Sequence, residues 1–242
     1  MGIIKGSYNE NDPVYLGREQ YGEPKEYFKR VINLIEDIHK KDKISLIDMG
    51  CASGGFIYFA KKALNIGDCV GVDISEDHLV QARKYVKDVD FVLGSLTVPE
   101  KTIGRQFDVC TCLGVLSIFD DIEEALKILL SLVKKNGSLY IFDLINELPV
   151  DVIERHRNVL NNENADWETA LNVRSMLSYK RTISKIANNT KLNWIDFKMP
   201  FPIPQTNDPL RAWTIRTEYN EHQIMVGTGQ LLNFKILHIL KE

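Results

Sequence analysis

Cysteine, proline and tryptophan are sparse in this chain of 242 residues, numbering 4, 8 and 3. Cys51, Cys69, Cys110 and Cys112 contain no Cys-x-x-Cys pair, so the spacing of a structural zinc site or a dithiol redox centre is absent. Three of them fall in expected core strands and one in a small-residue turn, the pattern of buried thiols in a reducing compartment. No apolar run approaches the roughly 20 residues of a membrane span, and Met1-Gly2-Ile3-Ile4-Lys5 lacks a signal-peptide apolar segment. A cytoplasmic location and no membrane partner are therefore expected. Met1-Gly2 does not indicate myristoylation, because Ser7 sits one place beyond the usual hydroxyl position. Charge of one sign is also missing in excess: the net is −5 over residues 1–150 and +2 over 151–242. Neither half has the basic surplus of a nucleic-acid binder. There is no internal repeat, no low-complexity tract and no cluster of metal-ligating side chains.

What is present is ordinary globular composition, 44% hydrophobic and 26% charged, in a chain long enough to bury a core as one domain with an elaboration. A polar, aromatic arm over 1–22 precedes a helix from Pro24 to about Lys40, with Phe28, Val31, Ile32, Ile35 and Ile38 at helical spacing. Short apolar strands then alternate with amphipathic helices, which implies a parallel sheet covered on both faces. The strands are expected at 44–49, 69–73, 89–93, 107–113 and 138–144. Ser75 caps the helix after the second strand. Another helix is expected from Asp121 to Lys134, with acids first, lysines last, and Asn136-Gly137 as the stop. Beyond Asn146 the alternation breaks. Residues 150–187 read as mainly helical with an interruption at 161–164, Leu192 to Phe197 as a strand, and the prolines of 200–204 as a loop. Arg211 to Leu240 reads as β, with a hairpin around Tyr219-Asn220. The expected organisation is an arm and helix over 1–40, a nucleotide-type core over 41–146, a cap over 147–215, and a C-terminal strand within 216–242.

Chemistry concentrates in Ile44-Ser45-Leu46-Ile47-Asp48-Met49-Gly50-Cys51-Ala52-Ser53-Gly54-Gly55. An apolar strand ends in an acid, turns through small residues and enters a helix; some twenty residues later Cys69-Val70-Gly71-Val72 ends in Asp73. That order describes a pocket for an adenosine-type ligand, with small residues admitting it to the backbone and the second acid reaching ribose hydroxyls. A phosphate-cradling P-loop is excluded, since Phe56 and Ile57 stand where lysine and Ser/Thr are needed. Gly50-x-Ala52-x-x-Gly55 nearly spells a dinucleotide fingerprint. Against it, Asp48 suits a positively charged amine, whereas pyrophosphate favours bare backbone N–H groups.

Four stretches carry a family resemblance in the right order over residues 44–145. Ile47 to Gly54 resembles the first motif of class I S-adenosylmethionine-dependent methyltransferases. Gly71-Val72-Asp73-Ile74-Ser75 resembles the second strand, Phe107 to Leu116 the fourth, and Lys134-Lys135-Asn136-Gly137-Ser138 the entry to the fifth. The resemblance implies an α/β, Rossmann-like, doubly wound seven-stranded sheet, mostly parallel with one antiparallel strand, at the edge and supplied by the C-terminal segment, plus a cap insertion. It implies S-adenosylmethionine as cofactor and S-adenosylhomocysteine as product. Carried over by position, Asp48 orients the methionine end, with Gly50, Ala52, Ser53 and Gly54 against it. Asp73 takes the ribose hydroxyls and Ile74 flanks the adenine. Ser95 and Leu96 meet the adenine amino group, and Leu113, Gly114 and Val115 line the sulfonium. Two positions depart from the pattern: Ala52 replaces a second glycine, and Ser95 replaces an acid.

Methyl transfer from a sulfonium requires alignment and water exclusion more than a metal, and none is expected. No base is visible in Leu116-Ser117-Ile118-Phe119. His156 and Tyr21 are the catalytic candidates, although the arginines flanking His156 suggest a solvated helix. Tyr15 and Tyr21 suit a lid, with Arg18 beside them. Arg211 and Trp213 suit a sugar, phosphate or carboxylate acceptor. His222 and His238 read as structural, and His78 as pointing away from the chemistry. The tetrad of base methyltransferases and the paired-glutamate loop of arginine methyltransferases are both missing, so a small-molecule acceptor is expected rather than nucleic acid or protein. The opposing class, a non-catalytic binding module on the same fold, is disfavoured by the intact Asp48, Gly50, Gly54 and Asp73.

Overall fold

A computed structural model of the chain describes residues 18–40, 42–96, 104–160, 164–169 and 171–242; Tyr15 lies outside them. Helix α1 (Glu26–His39) precedes strand β1 (Ile44–Met49), and α2 (Gly55–Ala63) leads to β2 (Ile66–Asp73). Helix α3 (Glu76–Tyr85), β3 (Asp90–Leu93) and β4 (Phe107–Leu113) follow. Helix α4 (Glu123–Ser131) and β5 (Val133–Asn146) complete the first half. Beyond these lie the short strands β6 (Arg155–His156), β7 (Glu168–Thr169) and β8 (Arg174–Ser175), then helix α5 (Met176–Ile186). The chain ends with β9 (Thr190–Asp196), β10 (Trp213–Ile215), β11 (Gln223–Met225), β12 (Leu231–Leu232) and β13 (Phe234–Lys241).

The main sheet runs β3-β2-β1-β4-β5-β13-β9, with β8 added beside β5. Pairing is parallel from β3 through β5, while β13 is antiparallel to both β5 and β9. The antiparallel strand is thus internal, and the edge on that side is β9, which lies within the stretch expected to form a cap. Its place follows from burial: Ile236, Leu237 and Ile239 are solvent-free, whereas alternate residues of β9 are exposed. Two apolar layers cover the sheet. One gathers α4 and α5 with Ile47, Cys112 and Ile141; the other gathers α1, α2 and α3 with Leu46, Tyr140 and Phe142. All four cysteines are buried and free, and burial pushes their thiols above the ordinary range. No helix among the described residues is long and apolar enough to cross a membrane.

Two sequence expectations are corrected. Helix α4 stops at Ser131, before the lysines, because Val133 already pairs with Phe107. Lys134 instead reaches the Asp108 carboxylate at 3.0 Å. Among its described residues the span 150–187 is not mainly helical: only Met176–Ile186 is, capped by Ser175, whose hydroxyl accepts from the Ser178 N–H at 3.1 Å. The preceding residues are drawn out by distant partners. Val152 bridges Val173, and the nearly buried Arg174 donates to the carbonyls of Phe119 and Asp120 at 3.0 and 2.6 Å. The hairpin around Tyr219-Asn220 is present as the antiparallel β10–β11 pair.

Candidate functional site

The carboxyl ends of β1, β2 and β4 meet where the strand order reverses, the place at which open α/β sheets bind ligands. The turn after β1 crosses over β2, with the N–H groups of Gly50 and Cys51 donating to the Val72 carbonyl at 2.8 and 2.9 Å. Gly50 has φ +80, and a Cβ there would lie 2.5 Å from Val115 Cγ2. The first strand's turn and the fourth strand's end are therefore in contact only because position 50 has no side chain.

Ala52, the departure from the glycine pattern, also holds a left-handed backbone, φ 46. That conformation costs an L-residue roughly 1–2 kcal/mol. Its N–H donates to Asp73 Oδ2 at 2.8 Å, a charge-assisted bond that offsets the strain. Asp73 Oδ1 accepts from the Ser75 N–H at 3.0 Å. Asp73 is thus buried and aimed by backbone from both sides of the turn.

His78 is the residue that sequence reasoning placed wrongly. Ser75 caps α3 with its hydroxyl toward the His78 N–H, and the imidazole turns inward, fully buried, with Nδ1 3.5 Å from Asp73 Oδ1. The signal was present: a residue three places after a serine cap lies in the first helical turn, over the strand end.

Asp48 is buried and accepts a 2.6 Å hydrogen bond from the Thr111 hydroxyl. Burial raises its pKa to about 7; the Thr111 bond opposes the rise and the charge of Asp73 adds to it. A neighbouring cation would return it to the ionised form. Across the site, Gly114 (φ +75) donates its N–H to the Phe142 carbonyl at 2.7 Å. Asp143 Oδ2 then accepts from Ser117 N–H at 3.0 Å and fixes the turn that follows Val115. Burial pushes Asp143 up to about 6. Ile74 is exposed at the end of β2, while the Leu96 side chain is buried in the core. The Gly94 N–H donates to the Asp73 carbonyl, carrying Ser95 alongside.

Tyr21 spans the turn from outside. Its hydroxyl donates to the Ser53 carbonyl at 2.6 Å, and its ring packs on Tyr58 and Tyr85. Burial raises this hydroxyl to about 12, and its bond to the Ser53 carbonyl clasps the turn. His156 sits in β6 opposite Glu168, not on a solvated helix, and its ring nitrogens are buried without a hydrogen-bond partner among the described residues. Arg211 pairs with Asp208 at 3.3 Å, and Trp213 is half-buried in β10. His156 lies in the β6–β7 pair and Trp213 in the β10–β11 pair, both outside the main sheet that carries the glycine turn.

Sequence reasoning missed a cleft of about 530 Å³ beside the site. Tyr27, Phe142, Phe197, Phe201, Ile203 and Phe234 line it. Phe142 stacks on Tyr27 (4.4 Å, 1°) and on Phe234 (4.9 Å, 9°), with Phe197 edge-on at 5.1 Å. Phe142 is also the cross-strand partner of Leu113, so the cleft shares a wall with the Leu113–Val115 edge.

A family model described as a methyltransferase domain matches residues 47–139. No curated protein sequence matches the chain. The fold is similar to that of Synechocystis magnesium protoporphyrin IX methyltransferase (ChlM) with bound SAM: TM-score 0.58, 13% identity, 97% of this chain and 94% of that one covered. The SAH-bound form gives TM-score 0.60 at 14% identity, covering 97% and 96%. CalS10, an amino pentose methyltransferase from Micromonospora echinaspora solved with SAM, gives TM-score 0.58 at 13% identity, covering 96% and 97%.

Proposed function

We propose that this chain, whose residues 47–139 match a methyltransferase-domain model, is a class I S-adenosylmethionine-dependent methyltransferase, and that it methylates a small-molecule acceptor held against the Leu113–Val115 edge. The observation that carries the proposal is the closed turn itself. Gly50 lies against Val115, the adjoining N–H of Ala52 is held by Asp73, and the buried carboxylate of Asp48 lies at the head of the turn. These residues fit the donor. Gly50 leaves the backbone of the turn bare beside Val115, and Asp48, once ionised, has the charge that a sulfonium or amine stabilises. Asp73 presents carboxylate oxygens, the acceptors that ribose hydroxyls require.

When bound, S-adenosylmethionine supplies a methyl group already activated on a sulfonium. The protein's part is alignment. Gly50 and Val115 set the approach, Asp143 holds the turn beyond Val115, and the Tyr21 clasp closes the outer side of the turn. Holding two reactants in line is worth several orders of magnitude in rate without acid–base chemistry.

The test is a thermal shift with S-adenosylhomocysteine. A ligand at a hundred times its dissociation constant that binds only the native state raises stability by about 2.7 kcal/mol. The wild type should shift upward and Asp73→Ala should lose most of the shift. No shift from folded wild-type protein overturns the reading.

A further inference from the structure

Resting on that reading, we infer that the cleft beside the Leu113–Val115 edge takes an uncharged planar aromatic acceptor, and specifically a phenol. Three features carry this. The first is composition: inside the rim the lining is rings and aliphatic groups, and a sugar or phosphate buried there would lose its hydrogen bonds to water without replacement. Its volume of about 530 Å³ lies within the range of small-molecule sites.

The second is ring geometry. Tyr27 and Phe234 lie 1° and 9° from the plane of Phe142, so a flat ring inserted in the same orientation extends the stack, the arrangement aromatic pairs favour.

The third is charge. The rim carries Glu23, Lys25, Glu26 and Lys29, two of each sign, and Lys29 is already paired with Glu26 at 2.6 Å. A rim without net charge gives no grip on a phosphorylated or carboxylated ligand. This reassigns the acceptor from the sugar, phosphate or carboxylate suggested by Arg211 and Trp213.

A phenol also asks least of a base: its hydroxyl has a pKa near 10, so with that hydroxyl at the open mouth of the cleft its proton can pass to solvent water. In the transfer the phenolic oxygen forms a bond to the methyl carbon. The carbon–sulfur bond breaks with its electron pair remaining on sulfur, and the hydroxyl proton passes to water. The products are an aryl methyl ether, S-adenosylhomocysteine and a hydronium ion.

The test is a fluorescence titration of 2-naphthol into protein saturated with S-adenosylhomocysteine, with glucose 6-phosphate as the polar comparison. Saturable binding of 2-naphthol and none of the sugar phosphate is expected. Phe201 is half exposed on the cleft wall, so Phe201→Ala should fold. It should weaken 2-naphthol by roughly 2- to 12-fold, the worth of one aromatic contact, while S-adenosylhomocysteine binds as in wild type. Failure of S-adenosylhomocysteine to bind would defeat the donor reading. Binding of S-adenosylhomocysteine without 2-naphthol, or 2-naphthol affinity unchanged by Phe201→Ala, would defeat the acceptor assignment alone. A dimer by sedimentation velocity that dissociates in Phe201→Ala would assign the cleft to a second copy of the chain and also overturn it.

Discussion

Replacing Gly50 with alanine tests how the turn is held. The new Cβ must sit at φ +80 and 2.5 Å from Val115 Cγ2. The left-handed conformation costs about 1–2 kcal/mol, and forcing a methyl into an occupied space costs about 1–3 kcal/mol more. The expected loss is therefore about 2–5 kcal/mol of unfolding free energy, a large share of what a domain possesses. Val115→Ala removes the atom that collides and leaves the dihedral strain in place. In a double-mutant cycle by urea unfolding, Gly50→Ala should be less damaging in the Val115→Ala background by the steric part, about 1–3 kcal/mol. S-adenosylhomocysteine affinity should fall in the single variant and partly return in the double. A Gly50→Ala variant within about 0.5 kcal/mol of wild type, well below either cost, would refute the reasoning, as would strict additivity in the cycle.

Asp48 gives a pH signature. Its folded pKa of about 7 lies above the 3.8 of an unburied aspartate, so its stability contribution is complete below pH 3.8 and is lost as pH rises toward and through 7. The loss is up to about 4 kcal/mol by linkage. Asp48→Asn should therefore raise the melting temperature of the ligand-free protein more at pH 8 than at pH 5; an equal effect at both would contradict the assignment. The ionised carboxylate is also the form that attracts a cation. Affinity for S-adenosylmethionine should rise between pH 6 and 8 in wild type and stay flat in Asp48→Asn, as read by calorimetry. Tyr21→Phe removes the 2.6 Å bond to the Ser53 carbonyl, and should cost about 0.5–1.5 kcal/mol in urea unfolding. No measurable loss would remove Tyr21 from its role as a clasp.

The first five strands were legible because their signals are local. β1 and β4 are found at Ile44–Met49 and Phe107–Leu113, as the pattern predicts, while β2 and β5 begin earlier than expected, at Ile66 and Val133. The residues after Asn146 were not legible because their conformation is set at a distance. Arg174 is fixed by carbonyls 54 and 55 positions away, and Ser175 and Ser178 by the Asp151 carboxylate. These contacts override a helical pattern that composition alone suggested. At the site, the turn from Asp48 to Gly54 and the acid Asp73 could be read directly, since the strand–turn–helix grammar names them. The hold of Asp143 on the Ser117 turn could not, because it depends on which side of a buried strand the side chain takes. The aromatic cleft was least visible. Its rings come from α1, β5, β13 and the segment after β9, and no window of sequence contains two of those elements together.

The turn from Asp48 to Gly54, beside Val115 and Asp73, is the proposed donor site. A crystal structure with S-adenosylhomocysteine tests it most directly. The ribose hydroxyls are expected at Asp73, the sulfur beside Gly50 and Val115, and the sulfur's open side toward the aromatic cleft. Ligand bound elsewhere on the fold, or a ribose with no contact to Asp73, would contradict it.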